Sequence, residues 1–504
     1  MSKLINGLAA SLAVTMMLSA GVGCSAKKPG TTAPKAVEQK EQLKEATLKV
    51  YALGSKEFAA GTLEVHQKFN ELLKQELNTK LEFYYTNWSD EGKKYPLLLA
   101  SGEEIDIMVV NTSFATEVAK GGYAPLNDLL PKHAPKIWSS FSKNEWNIAT
   151  YEEKISGVLK LPQLNRSGYV FREDLRQKYG LPEIKDVNGL EKLWEAVLKN
   201  EKDMVPYGNG TQDKLFLPAT LFGELGYALA TEIRSIKAGL TLNTKDPQNK
   251  LLFTSEIPQA KEVYSKIKAW ADKGYWSKNA YSNKVAGRDM VKNGAAASAP
   301  SNVINANSFV TELKSKGSSF VLGWIPQVSR KTAKPEPSVG AVIPRSSKNQ
   351  ERALMVLEKL YFEQKYMDLS NYGILNKHYS LTSDGKVKAL PAASEFDEGV
   401  QSGWKNFDLL RGYEGGIPAF EYTIKKSSEW TMDYKPSLFV LNSDPFKTEL
   451  AALGSVNTQY QDPLLYGLVD VEKGLSELLS KQKAAGSEKV KAETQKQLDD
   501  FMKK

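Results

Sequence analysis

Residues 48–119 switch between two hydrophobic periods, and this alternation restricts the folds open to the chain more than any other feature. The stretch opens in "TLKVYALGSKEF", where Leu48 to Leu53 is strand-like and Gly54-Ser55 breaks it. Val65, Phe69, Leu72, Leu73 and Leu77 then recur as one face of an amphipathic helix. "LEFYYT" gives a second strand over Leu81 to Thr86, followed by a helix carrying "YPLLLA". The third strand, Ile105 to Val110 in "IDIMVV", is an apolar run, as a parallel strand covered on both faces requires. Asp106 inside it is expected to satisfy nearby backbone, and helix-like "FATEVAK" follows. This order predicts a doubly wound α/β lobe.

The pattern returns downstream. "GYVFREDLRQKYGLP" runs from strand to helix, and Leu190, Leu193, Trp194, Val197 and Leu198 form a helical stripe that places Trp194 in a core. "GAAASAPSN", "FVLGWIP" and "SVGAVIPRS" are short strand-like runs. One long helix is expected from about Asn349 to Leu369, burying Leu354, Leu357, Leu360 and Tyr361, and a charged helical tail from Val471 to Met502.

The N-terminus has a different character. Lys3 precedes an uncharged apolar stretch, Leu8 to Ala20, which at roughly 13 residues is shorter than the ~20 a membrane-crossing helix needs. It has the form of a secretory signal. The stretch runs into Cys24, the single cysteine of 504 residues, and "LSAGVGC" resembles the lipobox of bacterial lipoproteins, with Gly21 where a large aliphatic residue is usual. That resemblance implies a diacylglyceryl group on Cys24 and an anchor on the outer face of the cell membrane; a plain secreted chain is the alternative. Residues 24–45, rich in Lys, Pro, Thr and Ala, cannot bury enough surface to order themselves and are expected to be a tether.

Beyond signal and tether, about 460 residues exceed a single core, so two or more domains are expected. The net charge of +8 is spread along the chain with no basic block outside the tether, which argues against a nucleic-acid partner. Three histidines, His66, His133 and His378, lie far apart, and His66 reads as a surface residue. No GxSxG, HExxH, Walker or GxGxxG motif occurs, and "GNG" at Gly208 to Gly210 reads as a turn. No catalytic residue, cofactor or metal is expected. A glycoside hydrolase needs two carboxylates facing across a cleft, and 59 acidic residues keep that alternative open.

"GYAPLNDLL", "TYEEKISGVLKLP" and "GYVFREDL", in that order, resemble the extracellular solute-binding proteins of ABC importers, in the cluster that binds sugars and oligosaccharides. "NYGILNKHYSLTSDGKV" and "PSLFVLNSDPFKTELAALGSV" resemble a Gram-positive lipoprotein branch with a C-terminal helical extension. Ser156 stands where that family often has an aromatic residue. The resemblance implies a periplasmic-binding-protein-like type II fold: two discontinuous doubly wound α/β lobes joined by chain crossings. A monomer would hold a sugar or oligosaccharide between the lobes and deliver it to ABC permease subunits. A peptide or other solute in the same fold is the alternative ligand. Breaks at Leu161-Pro162, Ser298 to Asn302 and Pro344-Arg345 suggest a first lobe of 46–163 plus 300–344 and a second of 164–299 plus 345–504.

In open α/β sheets, ligands bind beyond the carboxyl ends of the strands. This selects Gly54, Ser55 and Lys56, then Asn87, Trp88 and Asp90, then Asn111, Thr112 and Ser113. The crossings add Ser301, Asn302 and Arg345. Sugars need planar hydrogen-bonding groups for their hydroxyls and rings under their C–H faces, which Trp88 beside Asn87 and Asp90 would supply. Trp324, Trp404 and Trp146 are further ring candidates, and the family resemblance adds Tyr372 beside Gly373.

Overall fold

The structure is a computed structural model describing residues 43–503 apart from 55–59, 88–89, 112–113, 160–166, 229–235, 237, 316–317, 334–338, 397–402, 419, 421–430 and 440. Cys24, and all but the last residues of the expected tether, lie outside the described residues.

The alternating segment folds as its periods dictate. Strands Ala46–Leu53 and Thr79–Thr86 pair in parallel along their full length, from Ala46 opposite Thr79 to Leu53 opposite Thr86. Strand Ile107–Val110, buried on both faces, adds to the other side of Ala46–Leu53. Helix Ala60–Leu77 connects the first two strands and buries Val65, Phe69, Leu73 and Leu77. It ends at Asn78, at φ 48°, a left-handed conformation that asparagine tolerates better than most residues. Asp106 behaves as expected: its Oδ2 accepts from the Lys49 N–H at 2.9 Å and its Oδ1 from the Ser347 hydroxyl at 2.7 Å. The sheet is completed by Gly340–Val342, antiparallel to both Ile107–Val110 and Val158–Leu159.

A second sheet has the order Leu322–Pro326, Ser167–Arg172, Ala296–Asn302, Val205–Tyr207. Ser167–Arg172 is antiparallel to both its neighbours, and Val205–Tyr207 is parallel to Ala296–Asn302. One face carries Trp194, Trp270 and Tyr264 in a single core with Leu464, Tyr466 and Leu478 of the C-terminal region. The other is covered by helix Val303–Ser315 together with Ile417 and Phe420. The α/β fold of two discontinuous lobes with a helical C-terminal region is therefore the observed architecture.

The segment boundaries differ from those read in the sequence. Residues 303–326 belong with the second sheet, because Leu322–Pro326 pairs with Ser167–Arg172 and Trp324 enters that lobe's core. Helices Gln350–Phe362 and Gln364–Tyr372 belong with the first sheet, where Arg352 bonds the Leu77 carbonyl at 2.7 Å and Tyr366 stacks on Phe69 at 6.0 Å. The chain changes lobe between Leu159 and Ser167, between Gln327 and Gly340, and again after Tyr413. The second and third changes therefore fall away from Ser298–Asn302 and Pro344-Arg345, and Leu161-Pro162 lies outside the described residues. The expected long helix is two, broken where Glu363 is extended at φ −100°, ψ 122°. The second helix starts at once, its first bonds running from the Tyr366 and Met367 N–H groups to the Glu363 carbonyl at 3.0 and 3.1 Å. His66 is half-buried rather than on the surface, stacked on Phe83 with ring centroids 4.3 Å apart.

Candidate functional site

The carboxyl ends of the first sheet's parallel strands are tied into one edge. The Gly54 N–H donates to the Thr86 carbonyl at 3.0 Å, and the Asp90 N–H to the Asn87 carbonyl at 2.9 Å. The Asn111 N–H donates to Glu91 Oε1 at 2.7 Å. Glu91 is buried in the helix Glu91–Ser101 beside Tyr95, whose hydroxyl donates to the Val109 carbonyl at 2.9 Å. Burial, then the neighbouring Glu91 charge, hold the Tyr95 phenol far above its usual range, so it remains a donor. Asn87, Asp90 and Asn111 thus share one edge through this network, with Asn87 exposed. Trp88, Thr112 and Ser113 lie outside the described residues.

The other sequence candidates divide. Asn302 ends its strand at the level of Ser167, and its Oδ1 accepts from the Asn305 N–H at 2.8 Å, starting helix Val303–Ser315. Trp324 is a core residue: it packs on Gly168, where a Cβ would come within 2.3 Å of its ring, and its indole donates to the Ser301 carbonyl at 3.2 Å. Trp404, 1% exposed, is buried with its indole on the Ser370 hydroxyl at 3.3 Å. Trp146 packs on Phe141 and is buried as well. Tyr372 is buried between Tyr379 and Tyr413, its hydroxyl bonded to the backbone of Arg411. None of these rings is an open stacking platform in this state.

Arg345 is exposed but at the wrong edge. Gly340–Val342 runs antiparallel to Ile107–Val110, with Val342 opposite Met108, so the chain beyond Val342 continues toward the amino ends of the parallel strands. There the Arg345 N–H meets the Gly122 carbonyl at 3.0 Å. The sequence placed it at a crossing because the antiparallel sense of this strand is a nonlocal property.

The structure brings together residues that the sequence reading missed. A cavity of about 250 Å³ is walled by Asn307 of helix Val303–Ser315, by Lys386, and by Tyr413, Ile417 and Phe420 of the segment passing between lobes. Lys386 comes from the hairpin Tyr379–Leu381/Val387–Ala389, which the first lobe holds through a Lys377–Glu64 ion pair and the burial of His378 near Gly61. Asn307 is 1% exposed. Its Oδ1 accepts from the Ile417 N–H at 3.0 Å, which fixes the amide's orientation, and its Nδ2 has no hydrogen-bond partner. The visible signal was "RGYEGGIP", a glycine-rich loop with an aromatic residue. Among the described residues, no three His, Cys, Asp or Glu side chains converge as a metal site.

Comparison with known proteins gives the class. Residues 59–364, more than half of the chain, match the family model for bacterial extracellular solute-binding proteins, and the chain belongs to that family. Residues 437–503 match a domain of unknown function (DUF3502). A carbohydrate ABC transporter substrate-binding protein of Streptococcus pneumoniae serotype 4 is 25% identical over 485 residues, covering 90% of this chain and 91% of its own. The crystal structure of the N-glycan transport solute binding protein NgtS from Streptococcus pneumoniae is similar with a TM-score of 0.77 at 21% identity, covering 91% of this chain and 99% of that one. NgtS in complex with Man5GlcNAc is similar at a TM-score of 0.66, with 21% identity over 91% of this chain and 99% of that one.

Proposed function

We propose that this protein captures an oligosaccharide between its lobes and releases it unaltered to an ABC permease, acting as a binding protein and not as an enzyme. What supports this reading is the cavity of about 250 Å³ lined by Asn307 of the second lobe and by Lys386 of the hairpin held on the first, a space suited to one sugar ring, with the Asn307 Nδ2 left without a hydrogen-bond partner. The half-buried Tyr413 offers ring surface there, and Asn87, Asp90, Asn111 and Asn302 would serve further hydroxyls along the cleft. The S. pneumoniae relatives named for carbohydrate and N-glycan transport support a glycan as the solute.

Calorimetric titration with Man1GlcNAc, Man5GlcNAc, a fructan trisaccharide and an alginate trisaccharide tests this. One member should bind at micromolar affinity or better, about −8 kcal/mol, and be recovered intact by mass spectrometry. Hydrolysis of the bound glycan would instead support the glycoside hydrolase reading. We further propose that acylated Cys24 holds the protein on the outer face of the cell membrane. Cys24→Ser should then move it from the membrane fraction to the medium and abolish labelling by a radioactive fatty acid.

A further inference from the structure

The C-terminal region of unassigned function packs against the Gly208-Asn209-Gly210 turn, which lies just beyond the carboxyl end of strand Val205–Tyr207. The glycines there are explained by close packing. A Cβ on Gly208 would sit 2.7 Å from the Gly287 carbonyl oxygen, and one on Gly210 2.4 Å from that of Val285. Both glycines of the turn are anchored through their backbone. The Gly208 N–H donates to the Ser298 carbonyl at 2.8 Å. Asp213 Oδ2 accepts from both the Gly210 and the Gly287 N–H, at 3.0 and 2.8 Å.

Further restraints come from the extension. Tyr466 donates its hydroxyl to the Gly210 carbonyl at 2.9 Å, and Asp462 pairs with Lys214 at 2.5 Å. Tyr466 is itself fixed: its carbonyl accepts from the Trp276 indole at 3.3 Å, and its ring meets Tyr281 edge-on at 5.6 Å. Gly467, at φ 68°, allows the extension to lie against helix Ala260–Asp272, since a Cβ there would come within 2.7 Å of that of Ala271. Within this anchored turn, Asn209 is 5% exposed and its Oδ1 has no hydrogen-bond partner.

We propose that the extension is a back wall that presets the Gly208–Lys214 loop, with Asn209 binding a sugar hydroxyl and Tyr466 acting as its positioning residue. This rests on the oligosaccharide reading above. A side-chain oxygen accepts from a hydroxyl and repels a carboxylate, and Lys214 is already neutralised by Asp462, so this position selects an uncharged sugar unit. Holding a ligand-contacting group by a second layer of hydrogen bonds is what makes its geometry effective.

A double-mutant cycle on the full chain, titrated with the tightest-binding glycan of the panel, tests the assignment. Asn209→Ala should weaken binding about tenfold, and Tyr466→Phe, which removes one oxygen, about three- to fivefold. With Asn209 already replaced, Tyr466→Phe should add nothing, because its effect runs through that side chain. Asp462→Asn, which loosens the same loop through Lys214, provides a second variant if Tyr466→Phe folds poorly, and it should show the same non-additivity. Affinity unchanged in Asn209→Ala, or strictly additive losses, would overturn the proposal while leaving glycan binding intact. A wild-type chain that binds no member of the panel would overturn both readings together.

Discussion

His66 illustrates how one side chain can be decisive without touching a ligand. It lies on Phe83 and shares a 3.0 Å hydrogen bond with the Tyr85 hydroxyl, and burial lowers its pKa from 6.5 to about 4. Burial also lowers the pKa of His378, whose Nδ1 accepts from the Ile374 N–H at 2.9 Å. In the unfolded chain both imidazoles take up a proton near pH 6.5, whereas the folded chain resists. Stability is therefore full above that pH and is lost as the pH falls from 6.5 toward 4. A melting-temperature series over this window should decline, and His66→Phe, which keeps the stacked ring, should flatten the decline; an unchanged slope would refute the assignment. Asn307 allows an equally narrow test. Asn307→Asp keeps an oxygen for the Ile417 N–H but turns the free donor into an acceptor. Glycan affinity should fall about tenfold with near-native circular dichroism, and unaltered affinity would remove Asn307 from the site.

At the scale of elements, the hairpin Thr150–Tyr151/Lys154–Ile155 turns through Glu152 and Glu153, at φ 46° and 64°. Left-handed backbone costs an L-residue with a Cβ about 1–2 kcal/mol, and Asn-Gly is the pair suited to such two-residue turns. Replacing Glu152-Glu153 by Asn-Gly should raise stability by about 1 kcal/mol in urea unfolding, and a lowered midpoint would contradict this account. The same contrast between local and nonlocal causes explains what the sequence made legible. The strands at 46–53, 79–86 and 107–110 and the Trp194 stripe were readable because burial on one or both faces imposes a period. The partner of Leu322–Pro326 was not, because antiparallel pairing with Ser167–Arg172 spans about 150 residues and leaves no local trace. The Glu363 break was hidden too, since no glycine, proline or capping side chain marks it. At the candidate site, the strand-end rule selected Asn87, Asp90 and Asn111, which the structure places on one sheet edge, because it follows from topology alone. It could not separate Trp324 and Trp404 from the core, because that depends on which helices and loops cover them.

For the molecule as a whole, the connections between lobes matter more than either sheet. After leaving the second sheet at Pro326, the chain pairs Thr332–Ala333 in parallel with Thr431–Met432, so segments from two of the crossings run side by side. Arg330 fastens this strip to the second lobe, donating from Nε to the Gly223 carbonyl at 2.6 Å and from its terminal nitrogen to that of Tyr227 at 2.8 Å. Domain closure of the hinge type absorbs its φ/ψ change over few residues. It would also bring the Asn87–Asn111 edge toward Asn302 and Asn209, which no rearrangement within one lobe can do. Solution scattering with and without saturating glycan should then show a smaller radius of gyration in the bound state. Identical curves for the two states, with calorimetry confirming saturation, would mean that the lobes are already set and that the ligand enters a preformed cleft.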